Sequence, residues 1–242
     1  MRVSAAILGA CLLISPGFLP AQELPVDTAV ARRPARSILG LAEFAGVAAV
    51  AGAAFASDQS LRNRISDPHD RLGRTLSELG NGLGDGAIVY PSLFAVAVGG
   101  RLLGKPGMQK VGTRALESTL LAGAAALAFK SLIGRQRPDA SGHNAYVFRP
   151  FGIHDLSLPS GHAAVAFALA TSLARETGDK WTDAAFFAAA TLTAYARMHD
   201  DKHWASDVVL GAGIGILSAR FVHRFQARAT VSPGGFGMSL AF

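Results

Sequence analysis

The chain's 242 residues suffice for one sizeable domain with its own core, flanked by short tails, and not for two. Half of the residues are apolar and 17% are charged, a balance between that of an ordinary globular protein and that of a polytopic membrane protein. The 23 Lys and Arg against 17 Asp and Glu give a net charge of +6 without a dense basic run, which suits anionic substrates or an anionic membrane surface and argues against nucleic acid as a partner.

The first predicted element is a secretory signal over 1–21. It consists of Met1-Arg2, the apolar run Val3 to Ile14, the breakers Ser15-Pro16 and Phe18-Leu19-Pro20-Ala21, with cleavage expected after Ala21. The apolar run is too short to span a bilayer. Cys11, the chain's single cysteine, lies inside it; Leu8-Gly9-Ala10 before it resembles a lipoprotein cleavage box, but few residues precede the box. Removal of the signal would leave neither a disulfide nor a thiol nucleophile.

A polar, Pro-containing linker is expected over 22–36, a helical domain over 37–226 and a tail over 227–242. Within the domain, segments rich in Ala, Leu, Gly and Val run at about 38–57, 86–104, 114–133, 160–176, 182–198 and 206–224. Their length, alanine content and lack of alternation predict about six core helices and an all-α fold. The polar stretch 59–85 carries Leu72, Leu76, Leu79 and Leu83 at helical spacing and predicts one or two short amphipathic helices. Gly80, Gly82, Gly84 and Gly86 within it are expected to cap helices and form loops, since no Lys-Ser/Thr follows and no strand precedes them. Gly211, Gly213 and Gly215 sit inside a predicted helix and are expected to admit close helix packing.

Two expectations about the membrane oppose each other. The charge-free cores Ala184 to Ala196, Ala163 to Ala174 and Val208 to Ala219 run to 12 or 13 residues. That is roughly 20 Å at 1.5 Å per residue, against the roughly 30 Å of a bilayer core. Together with the signal, this predicts an exported bundle in the periplasm or cell envelope. Alternate inter-helix turns nevertheless carry the basic residues of a cytoplasmic face: Arg101, Lys105, Lys110 and Arg114, then Arg175 and Lys180, then Arg220, Arg224 and Arg228. That pattern predicts an integral protein whose helix at 38 starts inside.

Three clusters at predicted helix ends carry the chemistry: Lys130 with Arg137-Pro138, Pro159-Ser160-Gly161-His162, and Arg197 with His203 and Asp207. A dianionic phosphate needs converging cationic donors, and two arginines with a lysine supply forked and point-charge contacts. Ser160 and the Gly161 amide, at a helix N-terminus, add neutral donors along the positive end of the helix dipole. His162 and His203 are 41 positions apart and no carboxylate cluster accompanies them, a poor fit to zinc or two-metal sites; no cofactor is expected. His203 and Asp207 at i and i+4 share a predicted helical face, so the carboxylate can orient one ring nitrogen and leave the other free to attack phosphorus. His162 is placed to protonate the leaving oxygen and then to activate water.

These clusters, spanning Lys130 to Asp207, resemble the type 2 phosphatidic acid phosphatase superfamily, which includes bacterial class A acid phosphatases, glucose-6-phosphatase and the vanadium haloperoxidases. The resemblance implies a single all-α bundle of acid phosphatase/vanadium haloperoxidase type and metal-independent phosphomonoester hydrolysis through a phosphohistidine. It implies catalytic roles for His203, His162 and Asp207 and phosphate-binding roles for Lys130, Arg137, Ser160, Gly161 and Arg197. Where the family commonly has Ser before the arginine of the third cluster this chain has Ala196, which removes a supporting hydrogen bond. Leu158 before Pro159 is apolar, like the Phe common in the lipid phosphatases, and hints at lipid phosphates of the phosphatidic acid or prenyl diphosphate type over small soluble esters. The partners expected are therefore a phosphate ester, lipid or soluble, and a membrane surface or bilayer; the oligomeric state is not legible. Vanadate-dependent halide oxidation and a non-catalytic phosphate-binding role in the envelope are the alternatives.

Of the remaining residues, His199, Asp200 and Asp201 are expected to form a solvated rim and Trp204 to pack beside the site. His143, Tyr146, Phe148 and Arg149 lie in a loop, 139–158, that joins two of the clusters and so overhangs the site.

Overall fold

The computed structural model describes residues 40–66, 70–152, 154 and 156–228. The expected signal, the linker and the tail beyond residue 228 lie outside the described residues. Among the described residues there are seven helices: α1 (Leu41–Ile65), α2 (Arg71–Leu83), α3 (Gly86–Leu102), α4 (Pro106–Ile133), α5 (Gly161–Thr177), α6 (Lys180–His199) and α7 (Ala205–Arg228). Among the described residues there is no strand, only two isolated bridges, Arg135 with Phe148 and Gln136 with Leu156. The six core helices expected from hydropathy are α1 and α3 to α7. The amphipathic stretch 59–85 divides, its first residues extending α1 to Ile65 and the rest forming α2.

Helix α5 is the centre of the bundle and packs against α4, α6 and α7. Its neighbours come close because small residues face them: Ala122 and Ala126 of α4 meet Ala164 and Ala168 of α5. A Cβ on Gly211 would stand 2.4 Å from the Ser160 carbonyl oxygen, and one on Gly215 2.3 Å from that of Ala164. Glycine is therefore required at both positions, as the sequence suggests. Gly84 ends α2 and Gly86 opens α3, but Gly80 departs from the expected capping role. It lies inside α2, where a Cβ would meet the Leu192 carbonyl oxygen at 2.4 Å, so it serves close contact with α6.

The long helices alternate in direction and give the bundle two unlike ends. One gathers the start of α1, the ends of α5 and α7 and the start of α4. There Glu43 pairs with Arg220 at 2.6 Å and Arg224 at 3.2 Å, and Glu176 pairs with Arg114 at 2.7 Å and Lys110 at 3.4 Å. The other end gathers the three sequence clusters. Helix α4 and the stretch Ala205–Gln226 of α7 are long and apolar enough to cross a membrane, with mean hydropathy 1.4 and 1.5; α2 with α3, bent by 45° between them, forms a third candidate if taken as one span. Of the three helices with short charge-free cores only α7 is among these candidates, because it runs on past Ala219 with Arg220 paired to Glu43, while α5 and α6 are not.

Candidate active site

Lys130 lies in the last turn of α4, which Gly134 ends in a left-handed conformation with φ 66°. A Cβ at Gly134 would sit 1.9 Å from the Arg149 carbonyl oxygen, so glycine alone lets the chain turn there and carry Arg135, Gln136 and Arg137 across the end of the bundle. Ser160 is the N-cap of α5, its Oγ accepting from the Ala163 amide at 3.4 Å, and Gly161 and His162 begin that helix. Its own amide donates to the Asp207 carbonyl oxygen at 2.9 Å, which fixes the start of α5 against α7. Arg197 is in the last turn of α6 and Asp207 in the first turn of α7.

The structure brings these side chains together. The charges of Arg197, Lys130 and Arg137 all reach His162, and those of Lys130 and Arg197 reach His203. The Nε atoms of Arg137 and Arg197 are buried and have no hydrogen-bond partner. Lys130 and Arg137 enter no ion pair among the described residues. Converging cations with unused donors are what an anion of several oxygens satisfies.

His203 differs from the expectation. It precedes α7 instead of sharing a helical face with Asp207, and its Nδ1 is 3.7 Å from Asp207 Oδ2, beyond hydrogen-bond reach. The Ser157 hydroxyl fills the gap, 3.3 Å from His203 Nδ1 and donating to Asp207 Oδ2. The Trp204 amide also donates to Asp207 Oδ2, at 2.8 Å, the reach-back of an acidic side chain to the N-cap amide of its own helix. No group among the described residues bonds His203 Nε2.

Sequence reasoning missed the support behind Asp207. Arg135 is fully buried, as is Asp58 of α1. The Arg135 guanidinium donates to Asp207 Oδ1 at 2.8 Å, Asp58 Oδ2 at 2.7 Å, Ser206 Oγ at 2.7 Å and the Ala145 carbonyl. The rings of Phe55, Trp204 and Phe148 surround it, 4.8, 5.3 and 5.8 Å from their centroids. Asp58 in turn accepts from the Ser206 amide at 2.8 Å and its hydroxyl at 2.6 Å. No spacing links Asp58 to Asp207, and α1 was expected to end at 57. Asp85, which caps α3 and whose charge reaches His162 and Arg197, was missed for the same reason.

Burial pushes the His203 imidazole down to about 4 against the pull of Asp207. Burial, then the charge of Arg197 with smaller effects of Lys130 and Arg137, pushes His162 down to about 4 against Asp85. Both rings are neutral at pH 7 without an anion in the site.

Asp200 and Asp201 are not a solvated rim. Asp201 binds Arg62 with both oxygens, at 2.9 and 2.6 Å, and Asp200 binds α2; His199 is buried beside it. Trp204 packs beside the site as expected, 1% exposed. In the overhanging loop, Tyr146 and Phe148 pack on Phe55, and His143 Nε2 is 3.9 Å from Asp201.

The model of the PAP2 superfamily matches residues 112–230, the part of the chain that holds all three clusters. A lipid A 1-phosphatase of Porphyromonas gingivalis is 34% identical over 113 residues, 46% of this chain and 23% of that protein, so the match spans under a quarter of the relative's length. The crystal structure of Aquifex aeolicus LpxE superposes with a TM-score of 0.52 at 22% identity, covering 69% of this chain and 94% of that one. That of the first transmembrane PAP2 type phosphatidylglycerolphosphate phosphatase, from Bacillus subtilis, superposes with a TM-score of 0.61 at 19% identity, covering 78% and 96%. At these identities the structural likeness is one of fold. Over residues 112–230 the chain is thus similar to the PAP2 superfamily.

Proposed function

We propose that the chain is a member of the PAP2 superfamily and a phosphoric monoester hydrolase of the cell envelope that dephosphorylates lipid phosphates through a phosphohistidine on His203. The observation that carries the reading is the convergence of Lys130, Arg137 and Arg197 on two neutral histidines, with arginine donors buried and unpartnered. Lipid over soluble esters is favoured by the name of the Porphyromonas relative and by the exposed apolar face of α4 beside Lys130, which includes Leu127, Phe129 and Leu132.

In this mechanism Lys130, Arg137, Arg197, Ser160 and the Gly161 amide hold the non-bridging oxygens. Their charge does the neutralisation that a metal does elsewhere. Asp207, through Ser157, keeps the proton on His203 Nδ1, and the lone pair on Nε2 attacks phosphorus. The ester P–O bond breaks as His162 gives its proton to the departing oxygen, and the alcohol leaves. His162 then takes a proton from water, whose oxygen attacks phosphorus; the P–N bond breaks and phosphate is released. The dianion itself prepares His162, since it offsets the cations that strip the ring of its proton.

The bundle is placed in the membrane, with the basic end, Arg101, Lys105, Lys110, Arg114, Arg175, Lys180, Arg220 and Arg224, toward the cytoplasm and the site toward the outer face. The spans of α4 and α7 support this reading over a periplasmic bundle. A start of α1 at the basic end also argues against cleavage after Ala21.

The test is phosphate release by the detergent-solubilised full chain from lipid and soluble phosphates, with and without chelator, and with acid-quench trapping of the phosphoenzyme. Chelator-resistant turnover, greatest on lipid phosphates, with an acid-labile phosphoenzyme is the expected result. Loss to chelator with rescue by a divalent ion overturns the mechanism; peroxide-dependent halogenation with vanadate and no ester hydrolysis overturns the activity.

A further inference from the structure

Asn81 stands on α2, outside the stretch that matches the family, yet it touches a cation of the site. Arg197 Nη1 donates to Asn81 Oδ1 at 2.7 Å. The Asn81 amide donates from Nδ2 to Asp200 Oδ2 at 2.8 Å, and Ser77, one turn earlier, donates to Asp200 Oδ1 at 2.5 Å. The network fixes the amide's orientation, because the guanidinium only donates and the carboxylate only accepts. Asn81 thus bridges Arg197 at the end of α6 to the residue that follows that helix.

The bridge requires α2 to lie almost on the backbone of α6. Gly80 makes this possible, since a Cβ there would meet the Leu192 carbonyl oxygen at 2.4 Å and the Ala196 Cβ at 2.9 Å. The Ala196 methyl group offers the neighbouring arginine no polar contact and leaves room for a helix that does. The contact between the helices does not hang on Asn81, because Thr193 Oγ1 also donates to the Gly80 carbonyl at 2.8 Å.

We propose that Asn81 is a positioning residue that holds the Arg197 guanidinium by one nitrogen, so that its Nε, buried and without a protein acceptor, faces a phosphoryl oxygen. The inference rests on the phosphate-site reading of the preceding subsection. A long, rotamer-rich side chain fixed in advance loses less freedom when the anion arrives, and α2 thereby becomes part of anion binding.

The experiment is equilibrium binding of orthovanadate to the full chain, measured calorimetrically, for wild type, Asn81→Ala, Arg197→Ala and the double variant, with thermal unfolding of each. Asn81→Ala is expected to bind vanadate roughly 10-fold more weakly, the scale of one hydrogen bond to a charged group, with the double variant no weaker than Arg197→Ala. The near-isosteric Asn81→Leu, which keeps the volume between α2 and α6 and removes the acceptor for Arg197 without adding charge, is the control if the alanine variant does not fold. It is expected to weaken vanadate as well, and only while Arg197 is present. Wild-type affinity in Asn81→Ala or in Asn81→Leu, or losses that simply add in the double variant, overturn the inference alone. Wild-type affinity in Arg197→Ala overturns the phosphate-site reading, and the inference with it.

Discussion

The imidazole of His203 and the carboxylate of Asp207 stand 3.7 Å apart with the Ser157 hydroxyl between them, so the orienting contact is relayed. Ser157→Ala is expected to lower kcat roughly 10-fold with KM little changed, since one neutral link is lost and the charge stays. Asp207→Asn is expected to cost on the order of 100- to 10,000-fold, because an amide can hold the wrong tautomer. Steady-state kinetics on both variants decides it; equal losses would show that the hydroxyl, not the carboxylate, does the orienting.

The proposed mechanism assigns the two histidines to different bonds. His203→Ala should abolish turnover of every substrate and remove the phosphoenzyme. His162→Ala should lose roughly 100- to 10,000-fold on an alkyl phosphate but much less in the first turnover of an activated aryl phosphate, which needs no proton to leave. With the aryl ester, rapid quench should show a phenol burst and then slow turnover. A burst that survives in His203→Ala refutes the assignment.

Both rings sit near 4 in the free protein, and the sign of the pH dependence follows. His203 must be neutral to attack, so rate is lost as pH falls through about 4. His162 must carry a proton to act as acid, so rate on alkyl esters is lost as pH rises through its value. That value is lowered in the free enzyme by Arg197, Lys130 and Arg137 and rises once a dianion offsets them. The alkaline limb of kcat should therefore lie at higher pH than that of kcat/KM. Coincident limbs, or the reverse order, would place the acid elsewhere.

Asp58 and Arg135 are both fully buried, so Asp58→Ala leaves a guanidinium short of its partner in a dry pocket. The expected loss is about 3–5 kcal/mol, the usual cost of breaking a buried pair. Asp201→Ala at the partly exposed Arg62 pair, with side chains 19% and 20% exposed, should cost clearly less. Denaturation of the two variants in the same detergent ranks them, and similar losses would count against the buried network as a major support.

Orientation is checked with single cysteines in a Cys11→Ser background. In intact cells a maleimide that does not cross the inner membrane should label Asn144→Cys, in the loop at the site end, and not Lys105→Cys at the basic end. Both are exposed positions. The opposite pattern reverses the topology, and labelling of both indicates a bundle outside the inner membrane.

The residues proposed to bind and attack the substrate stand out in the sequence because their chemistry restricts residue type and because they fall at helix ends as compact local motifs. The helices were legible from apolar runs, except where charged residues at helix ends are neutralised by distant partners, as Arg114 is by Glu176, so that α4 begins eight residues before its expected start at 114. What sequence did not disclose are contacts between residues far apart in the chain: Asp58 with Arg135, Asn81 with Arg197, Ser157 with Asp207. Taken alone, each of these residues is an ordinary surface or turn residue, and only the packing of α1, α2 and the overhanging loop gives it a partner. Asp200 was misjudged in the same way, because a run of charges looks solvated until a second helix is laid against it.

The ion pairs of Glu43 with Arg220 and Arg224 bring the first turn of α1 beside the last turns of α7, at the end of the bundle away from the three clusters. With α4 running roughly 42 Å between the ends, at 1.5 Å per residue over 28 residues, residue 228 lies at the end of the bundle far from the chemistry. The same proximity makes the helical domain a candidate for circular permutation. A short peptide could join residue 228 to residue 40 there, with new ends cut in the Gly178 turn on the same face, leaving every residue of the site on an uninterrupted segment.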